Sequence, residues 1–348
     1  MTLDAILDFI FHSNNLILKI FKFTAITIVA ISILYFMGPQ PQYSALSYDF
    51  SPDIPSIDNV EGYLKNREVK IKNIKNDNGA KIIWAKDSIM QKTKYVIVYL
   101  HGFSASHMEG DPVHKYIARK YNMNLFLSRL EGHGLRDSNS FEVLNPQNYL
   151  NSAIEAIRVG EVLGDSIILM SCSSGSTLAI LVDGLSPKIA AHLMYAPNID
   201  MANKTSNLIT KPWGKYILKL FLGGEYNKIN YNDTAKLYWN EIYHFNGIVA
   251  LKWILKNYMI EDNFKKIKTP LFVSYFKMDD RSKDDVVDVD KIDWFYNTVS
   301  TPKHLKMKYI STSAGAHVVT SPIFSKDVDN VIKYSELFLK QTLRLKEK

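Results

Sequence analysis

The distribution of apolar and polar positions divides the chain into three stretches. Residues 23–37 (FTAITIVAISILYFM) carry no charge, and the apolar character reaches back to Leu16, interrupted only by Lys19 and Lys22. About 20 such residues match the length a helix needs to cross a bilayer core, with the lysine stems able to reach one interface. Positive charge before the run and the polar break Gly38-Pro39-Gln40-Pro41 after it predict a single-pass membrane anchor over residues 1–37. The N-terminus is then cytoplasmic and the remainder extracytoplasmic. A cleaved signal peptide fits less well, because the run is long and no small-x-small site follows it. Residues 38–60 hold four prolines and little apolar periodicity, and read as a linker.

From residue 61 to 348 the pattern alternates short β-branched runs with longer helical spacings. That rhythm predicts an α/β domain with a mostly parallel central sheet flanked by helices. Residues 70–74 and 81–85 read as an opening hairpin around Asn76-Asp77-Asn78-Gly79. The runs 95–100 (YVIVYL), 124–130, 166–171 (SIILMS), 189–195, 271–276 (LFVSYF) and 305–310 read as buried strands. Helices are expected over 112–121, 146–163, 174–185, 290–298 and 327–343, the second capped by Asn145 ahead of a proline. Between residues 198 and 267 the strand rhythm stops and aromatic, lysine-rich helices (213–222 and 237–258) take over. This insertion is expected to form a helical lid over the carboxyl edge of the sheet, where open α/β folds bind ligands.

Composition changes this picture little. Apolar residues make up 47% and charged residues 22%, which excludes a disordered or fibrous chain. The 42 basic against 35 acidic side chains give a net charge of +7, but the lysines are scattered rather than gathered. They read as a solvated surface, with no nucleic-acid partner implied. The single cysteine, Cys172, excludes an intramolecular disulfide and a cysteine-based zinc cluster. No metal or organic cofactor is implied.

The chemistry concentrates where the run 166–171 ends in Ser171-Cys172-Ser173-Ser174-Gly175-Ser176. A strand that breaks into a tight turn and then a helix lifts one serine, Ser173, clear of the sheet. The positions two before and two after it must be small for strand and helix to approach. Gly175 meets that need; Ser171 stands where the usual pattern has glycine. His101-Gly102 closes the strand 95–100, and glycine there lets the backbone curl toward the serine. The N–H groups of Phe103 and Ser174 are then expected to form an oxyanion hole. His317, in Ser313-Ala314-Gly315-Ala316-His317, follows the last strand and is the expected general base. The triad acid is expected after LFVSYF, where Asp284 is favoured over Asp279 because the two valines at 286 and 287 can pin its loop. His101, His107 and His133 read as structural or surface residues.

With HGF at 101–103, RLEGHG at 129–134, SCSSG at 171–175 and AGAH at 314–317, the sequence resembles the α/β-hydrolase superfamily. The Glu131-Gly132-His133-Gly134 stretch most resembles its monoacylglycerol lipase, lysophospholipase and serine aminopeptidase-like branch. The resemblance covers residues 95 to 348 and implies an α/β-hydrolase fold. It also implies a serine hydrolase cleaving lipid-like or acyl esters through an acyl-enzyme on Ser173. The aromatics Trp213, Tyr216, Phe221, Tyr238, Trp239, Tyr243, Phe245 and Trp253 suit such a substrate or form the core of the insertion. Two other readings stay open. An aminopeptidase or amidase with the same triad would need an acidic group in the insertion to hold a substrate amine. A catalytically inactive, membrane-tethered binding protein would leave Ser173, His317 and the aspartates apart.

Overall fold

The computed structural model describes residues 2–86 and 89–346, so the outermost residues of the expected 1–37 and 61–348 segments lie outside the described residues. Helix α1 (Leu3–Phe36) opens the chain. Its stretch Leu16–Phe36 is 21 residues long, apolar enough to cross a membrane, and buried nowhere against the rest of the protein; a signal sequence would pass the same test. The end of α1 is fastened to the insertion. The Trp213 indole N–H donates to the Leu34 carbonyl (3.1 Å), and the Trp213 main-chain N–H donates to Pro39 (2.9 Å). The proline-rich stretch that follows runs along the domain surface rather than away from it. Leu46 is buried and donates its N–H to Tyr258 Oη (2.6 Å), and Ser47 exchanges two hydrogen bonds with the Gln147 amide.

The domain then proceeds through α2 (Val60–Val69), β1 (Lys81–Ile83), β2 (Thr93–Leu100), α3 (Val113–Lys120), β3 (Asn124–Leu127), α4 (Pro146–Leu163), β4 (Gly164–Cys172), α5 (Ser174–Val182) and β5 (Ile189–Tyr195). The insertion contributes α6 (Gly214–Leu222), β6 (Tyr226–Lys228), α7 (Asp233–Lys236), β7 (Ile242–His244), α8 (Asn246–Tyr258) and α9 (Glu261–Phe264). The chain returns through β8 (Leu271–Phe276), α10 (Val289–Thr298), β9 (Lys306–Ser311) and α11 (Val328–Leu343). Among the described residues, seven strands form one sheet in the order β1-β3-β2-β4-β5-β8-β9, and β1 is its single antiparallel member.

The continuous apolar runs are explained by burial on both faces. Val96, Val98 and Leu100 of β2 and Ile167 and Leu169 of β4 point into the core under α4 and α5. Ile97, Tyr99, Ile168, Met170 and Cys172 point into the opposite core, against α3 and α11. Strand order reverses between β2 and β4, so their following loops diverge and leave a crevice at the carboxyl edge, the usual ligand position in such sheets. Leu100 pairs with Ser171, which brings the loops after both strands out side by side.

Several expectations are corrected. The opening hairpin does not form. Residues 70–74 pair instead with the loop after β3, through Lys75 N–H to Gly134 (2.8 Å), Arg136 N–H to Asn73 (2.8 Å) and an Ile74–Leu135 bridge, while β1 pairs with β3. Helix α2 precedes this turn. Only Val60 and Leu64 of α2 are buried, and ion pairs of Arg67 with Glu155 and of Glu68 with Arg129 hold it, so hydrophobic spacing gave little sign of it. The expected helix 237–258 is instead β7 followed by α8, because Tyr226–Lys228 takes Ile242–His244 as an antiparallel partner. Helix α4 covers Pro146–Leu163 as expected. Asn145 Oδ1 accepts from the N–H groups of Gln147 and Asn148 (both 3.0 Å), and Asn148 Oδ1 accepts in return from Asn145 (2.8 Å).

Candidate active site

Ser173 sits between β4 and α5 with φ 50° and ψ −121°, a conformation that a residue bearing a Cβ adopts only when its surroundings enforce it. Four backbone hydrogen bonds do so: Ser173 N–H donates to Tyr195 (2.9 Å), and its carbonyl accepts from Ser176, Thr177 and Asn198. Gly175 is required by packing. A Cβ there would lie 2.1 Å from the Leu100 carbonyl oxygen and 2.6 Å from that of His101, so α5 could not rest on the end of β2. Ser171, in the place where glycine is usual, is fully buried, and its hydroxyl is within 2.9 Å of the Ser176 hydroxyl. The small polar side chain is thus accommodated without opening the elbow.

Ser173 is 5% exposed and lines a cavity of about 510 Å³ together with His317. His317 Nδ1 donates to Asp284 Oδ2 at 2.6 Å. The Asp284 carboxylate is buried, and its other oxygen accepts the N–H groups of Val286 (2.9 Å) and Val287 (3.1 Å). The valines therefore act through their main chain as well as by packing. Asp279 stays in the exposed loop, its Oδ1 occupied by the N–H groups of Arg281 and Ser282. Burial by itself depresses the His317 imidazole. The charge and hydrogen bond of Asp284, with further charge from Glu109 and Asp285, outweigh it and hold the group above its ordinary value. Among the described residues the Ser173 hydroxyl makes no hydrogen bond, which leaves it free toward the cavity.

Two backbone donors flank the serine. The Phe103 N–H has no acceptor among the described residues, and the Ser174 N–H belongs to the first turn of α5, where helical N–H groups lack an internal partner. The three other histidines singled out in the sequence are committed elsewhere. His101 is buried, with Nε2 accepting the Leu130 N–H (3.1 Å) and Nδ1 directed at the Gly102 carbonyl (3.0 Å); burial pushes its pKa down to about 3. His107 contacts the Asp77 carbonyl, and His133 contacts the Glu131 carbonyl while stacking on Tyr149.

The cavity walls are mainly apolar. Of the aromatic residues expected in the insertion, Trp239 and Tyr243 line it. Trp213 meets the end of α1, Phe245 and Trp253 pack into cores, and Tyr216 and Phe221 are exposed. Phe103, Tyr231 and Phe324 complete the aromatic wall, and Glu109 and Asp285 supply its carboxyl groups. Neither Tyr231, Phe324 nor Glu109 stands in a motif, so only the folded chain brings them to notice. Among the described residues, those that the insertion lends to the cavity include no acid and no base.

The sheet order, the strained serine turn between β4 and α5 and the histidine after the last strand define an α/β-hydrolase fold. Solved structures share it. A metagenome-derived lipolytic enzyme of the LipS and LipT pair is 16% identical, covers 77% of this chain and 100% of its own, and superposes with a TM-score of 0.62. A soluble variant of the monoglyceride lipase of Saccharomyces cerevisiae, in complex with a substrate analog, is 12% identical over 76% of this chain and 92% of its own, with a TM-score of 0.57. The monoacylglycerol lipase of Paleococcus ferrophilus is 11% identical over 75% and 98%, with a TM-score of 0.52. No protein-family model and no curated protein sequence matches the chain.

Proposed function

We propose that the protein is a serine hydrolase that cleaves carboxylic esters with an apolar acyl or lipid-like part. The observation that carries this reading is the meeting of Ser173 and His317 on one apolar cavity, with Asp284 bonded to the far side of the imidazole. Ser173 Oγ attacks the ester carbonyl carbon while His317 Nε2 takes its proton. The resulting oxyanion is held by the Phe103 and Ser174 N–H groups. Collapse expels the alcohol, which receives the proton from His317, and leaves an acyl-enzyme. Water, deprotonated by His317, attacks that ester in turn and releases the acid. The neighbours of known structure are lipases and esterases, in keeping with this class of substrate.

An amide or aminopeptidase substrate is less well served, since the insertion offers the cavity no carboxylate among the described residues. The test is hydrolysis of p-nitrophenyl esters of increasing acyl length against the matching anilides. Turnover of the esters with little anilide cleavage supports the proposal; faster cleavage of an amino-acyl anilide than of any ester contradicts it.

The raised His317 pKa fixes the sign of the pH response. Only the neutral imidazole accepts the serine proton, so kcat/KM should rise with pH through a midpoint above the ordinary histidine value of about 6.5. A pH profile with a soluble aryl ester measures it.

We further propose that α1 anchors the enzyme in a membrane with the catalytic domain on the extracytoplasmic side, so that lipid-like esters reach it from the bilayer. The full chain should stay in the membrane fraction after an alkaline carbonate wash, and a form lacking residues 2–37 should move to the soluble fraction. External protease that digests the domain in intact cells supports the orientation; a domain protected until lysis overturns it.

A further inference from the structure

Glu109 is a carboxylic acid in a place where the two-step mechanism uses none. It is 2% exposed and lines the cavity with Ser173 and His317. Its Oε2 accepts the Gly102 N–H at 2.5 Å and the Tyr99 hydroxyl at 3.2 Å. Burial pushes the Glu109 carboxyl above its ordinary value, against the pull of these two donors and of the nearby His317; both donors suit the ionised form, which can only accept. A Cβ built on Gly102 would lie 2.5 Å from Glu109 Oε1 and 3.0 Å from Ser173 Cβ, so the carboxylate and the serine flank the same glycine. The Glu109 main chain ties in the opposite wall: its carbonyl accepts the hydroxyl of Thr320, three residues beyond His317, at 2.5 Å.

We propose that Glu109 is a positioning residue of this site: its carboxylate fixes the Gly102 amide beside the oxyanion hole, and its charge steadies His317 as the imidazolium forms. The inference rests on the ester-hydrolase reading. Gly102 immediately precedes Phe103, the expected oxyanion donor, so holding the Gly102 amide limits how far the Phe103 N–H can swing. The groups facing Glu109 are Tyr99 on β2, Cys172 on β4, Tyr149 on α4, Tyr231 of the insertion and His317. Of these, His317 alone becomes a cation during turnover. Asp284 and Asp285 face His317 from the loop after β8, and Glu109 adds a carboxylate from the loop after β2.

Two substitutions separate the two parts. Glu109→Gln keeps an acceptor for the Gly102 N–H and removes the charge. His317 then loses its proton more readily, and the acid limb of kcat/KM should move to lower pH by at least about half a unit. Glu109→Ala removes the acceptor as well, and kcat should fall at least about tenfold with KM within about twofold of wild type. An acid limb that stays in place in Glu109→Gln overturns the proposal, as does a folded Glu109→Ala enzyme with wild-type kcat. Should Glu109→Ala fail to fold, the Glu109→Gln profile decides alone. A wild-type enzyme inert toward every ester would sink the hydrolase reading and this proposal together, whereas an active wild type with an unmoved Glu109→Gln limb sinks this one only.

Discussion

Ser173→Ala is expected to lower kcat by roughly 10⁶-fold, the loss typical of a missing serine nucleophile, with the fold retained. The substitution removes one oxygen that makes no hydrogen bond among the described residues, so nothing else in the turn changes. Alanine keeps the Cβ and with it the strain of φ 50°. Ser173→Gly removes that Cβ as well, and should be equally inactive yet more stable by about 1 kcal/mol, because glycine tolerates positive φ. Aryl-ester kinetics and thermal unfolding of the two variants check this directly. A glycine variant less stable than wild type would show that the turn is not strained, and residual turnover above about one-thousandth of wild type would point to another nucleophile.

The second large effect separates two aspartates five residues apart. Asp284→Asn should reduce kcat by about 10⁴-fold with little change in KM: the amide oxygen stays with the Val286 and Val287 N–H groups, so the NH2 end faces His317 Nδ1 and favours the wrong tautomer. Asp279→Asn should leave kcat within about twofold, because that side chain only caps its own exposed loop. Asp284→Asn also weakens a buried acceptor of two main-chain N–H groups, so a lower melting temperature is expected beside the kinetic loss. Comparable kcat values in the two variants would contradict the assignment.

How much of this could be read from the chain depended on how local each signal was. The serine turn was legible because its requirements are met within six residues: a buried strand, a serine lifted clear of it, and Gly175 where helix and strand touch. The meeting of Asp284 with His317 was legible through Val286 and Val287, although only packing was expected to hold the loop and their N–H groups also bind the carboxylate. The central strands were legible because burial on both faces demands unbroken apolar runs. Helix α2 was not, since ion pairs from distant segments hold it. The arm 70–74 was misread because the cluster 76–79 does turn the chain, but residues 134–136 supply the partner that the next strand was expected to be. The hairpin β6–β7 hides in the same way, its two three-residue strands having no alternation long enough to stand out. Glu109 is the plainest case. Its neighbours in the chain carry no pattern, and its position becomes meaningful only when Gly102, Tyr99 and Thr320 are brought around it.

Whether Ser173 is the nucleophile is tested by mass-spectrometric mapping of the full chain after reaction with a fluorophosphonate probe. A single covalent adduct is expected on the peptide carrying Ser173, lost in Ser173→Ala and strongly slowed in His317→Ala. An adduct on a different residue, or no adduct on a folded protein that still hydrolyses esters, would contradict it.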